Sequence, residues 1–408
     1  MVARNSIAEM AVTPYVMEGV SEETRAAVAK RGLIIALIAF LTLIDLFGSQ
    51  ALLPALVDHY HVSPAAMGFA VNASTFGMAI SGMLVAIFAR SINRRLGIWL
   101  SLALLAIPTF LLGLTTDLFT FALLRVAQGL FMSAAFTLTL TYLAEVCTIT
   151  AARGAMAAYI TGNVASNLFG RLLATGVADH VGLAESFFTF SALNLLGAMI
   201  AFLYLGRTDS SHDPAARETG SIWAAWIDHF ANPKLRASFA IGFIILFAFV
   251  GVFTYVNFVL AGEPFKLPQG SIGLVYFVFV PAILTTPIAG FVAQRFGVQM
   301  TFMGSIGVSL VGVFLLLASN LWLLLLGLML IGAGLFFAQA AATAYVGQTA
   351  AHDHAAASGL YLTSYYVGGL FGALFLGQIF VTVGWPATVA CLAVSLLVAI
   401  WLGRNLHR

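Results

Sequence analysis

Residues 33–55 read LIIALIAFLTLIDLFGSQALLPA, with one charge, Asp45, in the whole run. At 1.5 Å rise per residue, a helix of about 20 apolar residues crosses the hydrocarbon core of a bilayer. The run is too long and too continuously apolar for a barrel strand, and lipid offers no partner to exposed backbone groups, so a spanning helix is the only reading. Working outward, eleven further runs have the same character: 65–89, 97–115, 119–145, 154–178, 185–206, 236–260, 270–293, 299–318, 320–346, 357–382 and 386–403. The sequence predicts an all-α membrane protein with twelve transmembrane helices.

The composition agrees. Of 408 residues, 61% are hydrophobic and only 8% charged, where a water-soluble chain carries about 25% charge to cover its surface. The net charge of +2 supplies no basic field for nucleic acid. Cys147 and Cys391 are far apart and form no CxxC spacing, so neither a disulfide framework nor a metal site is expected. His59 and His61 fall in one loop, and His352 and His354 flank Asp353 in another. With no fourth donor these read as hydrated loop histidines. Residues 1–31 are polar and mixed in charge, without the short apolar core of a signal peptide.

Lys and Arg set the orientation. With both termini in the cytoplasm, the inner segments hold Arg4, Arg25, Lys30, Arg31, Arg90, Arg94, Arg95, Arg153, Arg207, Arg217, Lys234, Arg236, Arg295, Arg404 and Arg408, which is 15 of 18 basic residues. Lys266 alone falls outside, and Arg125 and Arg171 lie within spans. The chain therefore divides into a cytoplasmic tail (1–31), a six-helix bundle (32–206), a cytoplasmic linker (207–235) and a second six-helix bundle with a short tail (236–408). In the linker, Trp223, Trp226, Ile227 and Phe230 share a helical face opposite Asp228, which reads either as an interfacial helix or as a plain turn.

The two bundles are copies of one unit. Tyr159-Ile160-Thr161-Gly162 matches Tyr361-Leu362-Thr363-Ser364, 202 residues later, and Leu168-Phe169-Gly170 matches Leu370-Phe371-Gly372 at the same offset. Halves related by a parallel repeat suit a rocking transporter, with a solute site where they meet. Gly162, Ser166 and Gly170 form a small-residue stripe, as do Ser364, Gly368 and Gly372. Such stripes serve close helix packing, or smooth faces on which the halves slide.

The loops carry a resemblance. Gly290-Phe291-Val292-Ala293-Gln294-Arg295-Phe296-Gly297 resembles the signature of the major facilitator superfamily, Gly-x-x-x-Asp-Arg-x-Gly, with Gln294 in the acidic position. Its counterpart, from Ala86 through Arg90 to Asn93-Arg94-Arg95, looks like a decayed copy. Arg125-Val126-Ala127-Gln128-Gly129 is similar to the family's Arg-x-x-Gln-Gly, and Ala144-Glu145 before Arg153-Gly154 also follows its pattern. The spans at Tyr159–Arg171 and Ser358–Gly368 resemble the bacterial inner-membrane branch associated with acriflavine sensitivity and sugar or drug export. The resemblance implies two pseudo-symmetric six-helix bundles and no cofactor. It also implies a cytoplasmic gate at Arg90, Asn93, Arg94, Arg95, Glu145, Arg153, Gly290, Gln294, Arg295 and Gly297. Arginine at position 90 reverses the sign of the family's latch, so Glu145 is expected to pair with Arg90 or Arg94, or locally with Arg153.

Charges at membrane depth usually face a polar cavity or one another. Asp45 lies mid-span and Arg125 and Arg171 in the outer parts of their spans, all three about 10–15 Å from the outer edge at 1.5 Å per residue, so one cluster is expected. Asp45 held by Arg125 would be a proton-coupling pair; a structural salt bridge is the alternative. Arg171 shares a face with Asn163 and Asn167, a stripe that reads either as a site for an anionic or hydroxyl-bearing solute or as interhelical hydrogen bonding alone. Further cavity candidates are Gln50, Asn72, Gln128, Tyr255, Asn257, Tyr276, Gln339, Tyr361 and Tyr365, which as a set suit an uncharged or amphipathic solute. No HExxH, GxSxG or Walker loop is present, so an enzyme and a nucleotide-driven pump are both disfavoured. The expectation is a monomeric, proton-coupled exporter of a small solute in the inner membrane. An uncoupled facilitator or importer, and a non-transporting scaffold, remain the alternatives.

Overall fold

The computed structural model describes residues 25–88, 92–146, 149–206, 222–350, 354–404 and 406; side chains at 25–29, 31, 86, 144–157, 222–225 and 354–355 lie outside that description. Every described element is helical. The first half comprises α1 (Arg25–Ala51), α2 (Leu53–Tyr60), α3 (Pro64–Asn72), α4 (Ser74–Phe88), α5 (Arg94–Leu112), α6 (Leu118–Val146), α7 (Ile149–His180) and α8 (Leu183–Tyr204). After a linker helix α9 (Ile222–Ala231), the second half comprises α10 (Pro233–Ala261), α11 (Gln269–Val275), α12 (Val280–Thr285), α13 (Ala289–Phe296), α14 (Val298–Leu315), α15 (Leu321–Thr349), α16 (His354–Thr382) and α17 (Trp385–Gly403).

These make twelve spanning units. Eleven are apolar and long enough to cross a membrane. The twelfth, α7, is 32 residues long; Asn163, Asn167 and Arg171 lower its hydropathy. Large apolar side chains face outward, with Trp322 78%, Phe119 76% and Leu284 70% exposed. Such a surface is at rest in lipid and not in water. Arg94, Gly206, Ile222 and Lys234 mark one end of the bundle, here the linker end; the short loops at 61–63, 113–117, 181–182 and 262–268 mark the distal end.

Two spans are broken. The second is α3 followed by α4, with a turn at Ala73. Side chains satisfy carbonyls at the break: Arg125 Nε donates to Val71 O at 2.8 Å and Thr75 Oγ1 to Asn72 O at 2.7 Å. The eighth runs through α11, a 3₁₀ stretch Tyr276–Phe279, α12, a second 3₁₀ stretch Thr286–Ile288, and α13. Pro281 and Pro287 lack the amide hydrogen that an α-helix needs there. Gly297 ends the span with φ of 85°, a conformation that favours glycine.

The repeat is visible atom by atom. A Cβ on Gly170 would sit 2.4 Å from Ile44 O, and one on Gly372 2.4 Å from Phe247 O. A Cβ on Gly162 would sit 2.1 Å from Ala36 O, while its counterpart Ser364 donates Oγ to Phe239 O at 2.8 Å. The small-residue stripes therefore pack α7 on α1 and α16 on α10, inside each half. They are not faces on which the halves slide.

The linker helix forms, but its faces differ from the expectation. Trp226 is buried, whereas Ile227, Phe230 and Asp228 are all exposed. Phe230 also lies edge-on to Phe239, with centroids 5.5 Å apart. The side chain of Trp223 is outside the described residues. Cys391 is a free thiol, and Cys147 is outside the described residues.

Candidate functional site

Asp45, Arg125 and Arg171 are each fully buried, but they form two sites and not one. The first lies inside the N-terminal half. Asp45 points at α5, α6 and α8, where its Oδ2 accepts from Thr109 Oγ1 at 3.2 Å, Gln128 Nε2 at 3.1 Å and Asn194 Nδ2 at 3.2 Å. Arg125 donates to Val71 O at 2.8 Å, Ser49 Oγ at 3.2 Å, Ser74 Oγ at 3.1 Å and Gln128 Oε1 at 2.6 Å. The expected direct Asp45–Arg125 pair is therefore replaced by a relay. Gln128 offers its carbonyl to the cation and its amide to the carboxylate, so neither charge is left bare in hydrocarbon. Asp45 Oδ1 and Asn194 Oδ1 have no hydrogen-bond partner among the described residues.

The glycine of the Arg-x-x-Gln-Gly stretch explains how the site is assembled. A Cβ on Gly129 would lie 1.8 Å from Ser74 O, and one on Gly77 2.0 Å from Val126 O. These contacts bring α6 against α4, which puts Arg125 within reach of Val71 and Ser74 at the break in the second span. Thr109, Asn194, Ser49 and Ser74 were not among the candidates. Asn194, a lone amide in an apolar span, was the signal that could have found them.

The second site lies between the halves. Arg171 Nη2 donates to Gln50 Oε1 at 2.6 Å, and Gln50 Nε2 donates to Asn72 Oδ1 at 2.7 Å. The guanidinium carbon stands 4.1 Å from the Tyr276 ring centroid, 5.6 Å from Phe253, 5.6 Å from Phe279 and 5.8 Å from Phe47. Three of those four rings belong to the C-terminal half. Asn167, one turn below Arg171, is buried with both amide atoms unpartnered among the described residues.

The halves close on each other at the distal end. Asn257 Nδ2 donates to Gln50 O at 2.9 Å, Asn72 Nδ2 to Thr254 Oγ1 at 3.1 Å, and Gln269 Nε2 to Ala51 O at 2.8 Å. Tyr276 donates to Asn257 Oδ1. Gly273 backs onto Thr175, where a Cβ would meet Oγ1 at 2.0 Å. Toward the linker end from this seal, Gln50, Asn163, Gln339 and Tyr365 line a cavity of about 60 Å³ with Phe47, Phe249 and Phe336. That volume holds a few waters, not an organic solute, which takes some 300 Å³ or more. Asn72, Gln128, Tyr255, Asn257 and Tyr361 do not line it in this conformation. Tyr255 donates to Ala373 O, and Tyr361 stacks on Tyr365 at 6.3 Å. A larger cavity, about 1070 Å³, lies under α9 between Lys234, Gln299 and Gln348, away from every buried charge.

The gate residues are partly visible. Asn93 caps α5 by accepting from Leu96 N at 3.1 Å. Arg94 donates to Ile92 O at 2.9 Å, and Arg95 lies 5.3 Å from the Phe202 ring. Gly290, Gln294, Arg295 and Gly297 are exposed. Arg90, and the side chains of Glu145 and Arg153, lie outside the described residues, and so does their expected pairing. No group of residues that could hold a metal occurs among the described residues.

Comparison with known proteins gives the same architecture a family. The Major Facilitator Superfamily model matches residues 35–279 and 256–407. An uncharacterised MFS-type transporter of Bacillus subtilis, YybF, is 26% identical over 374 residues, covering 90% of this chain and 91% of that one. The Escherichia coli inner membrane transport protein YnfM is 27% identical over 364 residues, covering 89% and 87%. Two solved structures share the fold: a bacterial homologue of the human lysosomal transporter Spinster (TM-score 0.73, 15% identity, 93% and 96% covered) and the nucleoside transporter NupG (TM-score 0.73, 15% identity, 93% and 100% covered). With twelve spanning units in two repeated halves and a family match along nearly its whole length, the chain belongs to the major facilitator superfamily and is a multi-pass membrane transporter, not an enzyme.

Proposed function

We propose that this protein sits in a bacterial inner membrane, as a monomer with both termini in the cytoplasm, and exports a small organic solute by alternating access in exchange for protons. On this reading the linker end is cytoplasmic, and the conformation described is closed to the outside. The observation that carries the coupling is Asp45. Its carboxylate is fully buried in the N-terminal half, three donors converge on Oδ2, and Oδ1 has no partner among the described residues and can take a proton. Protonation cancels the charge that Gln128 relays to Arg125. Arg125 in turn holds the break in the second span, next to Asn72, which bonds Thr254 of the other half. A proton at Asp45 thus acts on the contact between halves, and antiport follows if proton and solute favour opposite access states.

The exposed Gln294 and Arg295 accord with a gate released at the cytoplasmic end. Export, the likeness to the acriflavine-sensitivity branch and the solute-lining roles of Asn163, Gln50 and Tyr365 belong to the same proposal, with Tyr361 stacked behind Tyr365. One observation favours an uncoupled facilitator or importer instead: Asp45, Gln128 and Arg125 do not line the cavity between the halves, as a purely structural network would not.

The test compares accumulated metabolites and dye efflux in cells lacking the protein, carrying it, or carrying Asp45→Asn, with the pH gradient intact or collapsed. Coupled export is expected to vanish on collapse and in Asp45→Asn, with normal membrane insertion. Gradient-driven export by Asp45→Asn would reject the coupling role. Wild-type transport indifferent to collapse would select the facilitator.

A further inference from the structure

Arg171 is fully buried, and no carboxylate faces it among the described residues. Among the described residues its Nε and Nη1 meet no acceptor in hydrogen-bond geometry, the Tyr276 hydroxyl interacting with the guanidinium without carrying a balancing charge, and neither amide atom of Asn167 has a partner. Buried polar groups in native proteins are almost always paired, and a buried cation without a counter-charge is rarer still. Here the gap falls on one helical stripe. Asn163 lines the cavity, Asn167 follows one turn on, and Arg171 one turn further, beneath the rings of Phe47, Phe253, Tyr276 and Phe279. The stripe leads from the cavity to a positive charge with no facing carboxylate, roofed by three phenylalanine rings and the Tyr276 ring.

Resting on the transporter reading above, we infer that the solute is an amphipathic organic anion whose carboxylate, or a comparable oxyanion, is held by Arg171 and Asn167 while its hydrocarbon lies against the aromatic roof. Oxyanion oxygens supply the acceptors that Nε, Nη1 and the Asn167 amide lack, in charge-assisted geometry. A neutral solute leaves the charge unbalanced, and a cation is repelled. The site also touches the seal. Arg171 belongs to the N-terminal half and Tyr276 to the C-terminal half, and the guanidinium on the tyrosine ring is one of the contacts that close the distal end. An anion that draws Arg171 off that ring loosens the seal, so binding and opening become one event.

The test is equilibrium binding to purified full-length protein in detergent without a pH gradient, read as the shift in thermal unfolding midpoint. Sodium benzoate and sodium octanoate are the probes. Benzamide and sodium chloride at equal ionic strength are the controls. The expected result is a saturable rise with at least one carboxylate and none with either control. Arg171→Gln should raise the half-saturating concentration by about tenfold or more. Should that variant not fold, Arg171→Lys and Asn167→Ala carry the test, and both should bind the carboxylate more weakly than wild type. No saturable response to either carboxylate, an equal response to benzamide, or unchanged binding in Arg171→Lys and Asn167→Ala would overturn the anion site. Because no gradient is used, each of these outcomes is distinguishable from a failure of proton coupling at Asp45.

Discussion

Replacing Gln128 with methionine removes the relay between the buried charges while nearly preserving volume. Three hydrogen bonds are lost: Arg125 Nη1 at 2.6 Å, Asp45 Oδ2 at 3.1 Å and Thr109 Oγ1 at 2.7 Å. Side-chain hydrogen bonds within membranes average about 0.6 kcal/mol and reach about 1.7 kcal/mol. Three such bonds give a loss between about 2 and 5 kcal/mol, and the upper half applies because two of them meet charges. The assay is unfolding in mixed detergent micelles followed by tryptophan fluorescence, run as a double-mutant cycle with Asp45→Leu. A direct bond between the two residues should appear as a coupling of about 1–2 kcal/mol. The relay makes a sharper demand as well: coupling between Asp45 and Arg125 should shrink when Gln128 is methionine. Additivity of Gln128→Met and Asp45→Leu within about 0.5 kcal/mol, or an Asp45–Arg125 coupling indifferent to residue 128, would refute the relay.

The remaining predictions concern packing. Gly170→Ala and Gly372→Ala each push a Cβ to 2.4 Å from a carbonyl of the neighbouring helix. Each should lower stability by about 1–3 kcal/mol, measured in the same unfolding assay, and a harmless substitution at either would break the equivalence of the halves. Gly129→Ala places its Cβ 1.8 Å from Ser74 O, forces α6 off α4, and should lose at least as much. It should also weaken the Gln128–Asp45 coupling, because Arg125 loses its seat at Val71 and Ser74; an unaltered coupling would argue against that seat.

Much of the scaffold is legible in the sequence because lipid imposes a length and a polarity on every span. Even α7, whose hydropathy Asn163, Asn167 and Arg171 lower, is doubly recognisable, as an apolar run and from its repeat partner α16 through Tyr159 and Tyr361. The depth of Asp45, Arg125 and Arg171 is equally legible, since it needs only a count of residues from a helix end. Their partners are not. Whether a mid-span residue faces its own bundle or the other half depends on helix rotation, and three charges at one depth look like one cluster until that rotation is known. Arg171 meets Tyr276 across more than a hundred residues of chain, a contact that no spacing rule reaches. The break at Ala73 leaves no proline or glycine as a mark, only the polar run Asn72 to Thr75 around it. Pro281 and Pro287 do mark the irregular eighth span, and the 3₁₀ turn that sets Tyr276 and Phe279 over Arg171 lies just before Pro281.

The most direct measurement uses Thr175→Cys with Gly273→Cys in a chain whose own cysteines, Cys147 and Cys391, are alanine. Thr175 Cβ lies 3.1 Å from where a Cβ on Gly273 would stand, within a small shift of disulfide geometry. If the halves must part at the distal end in each cycle, the crosslinked protein should erase the metabolite difference between cells with and without the protein, and dithiothreitol should restore it. Undiminished transport by the fully crosslinked chain would contradict alternating access across this seal.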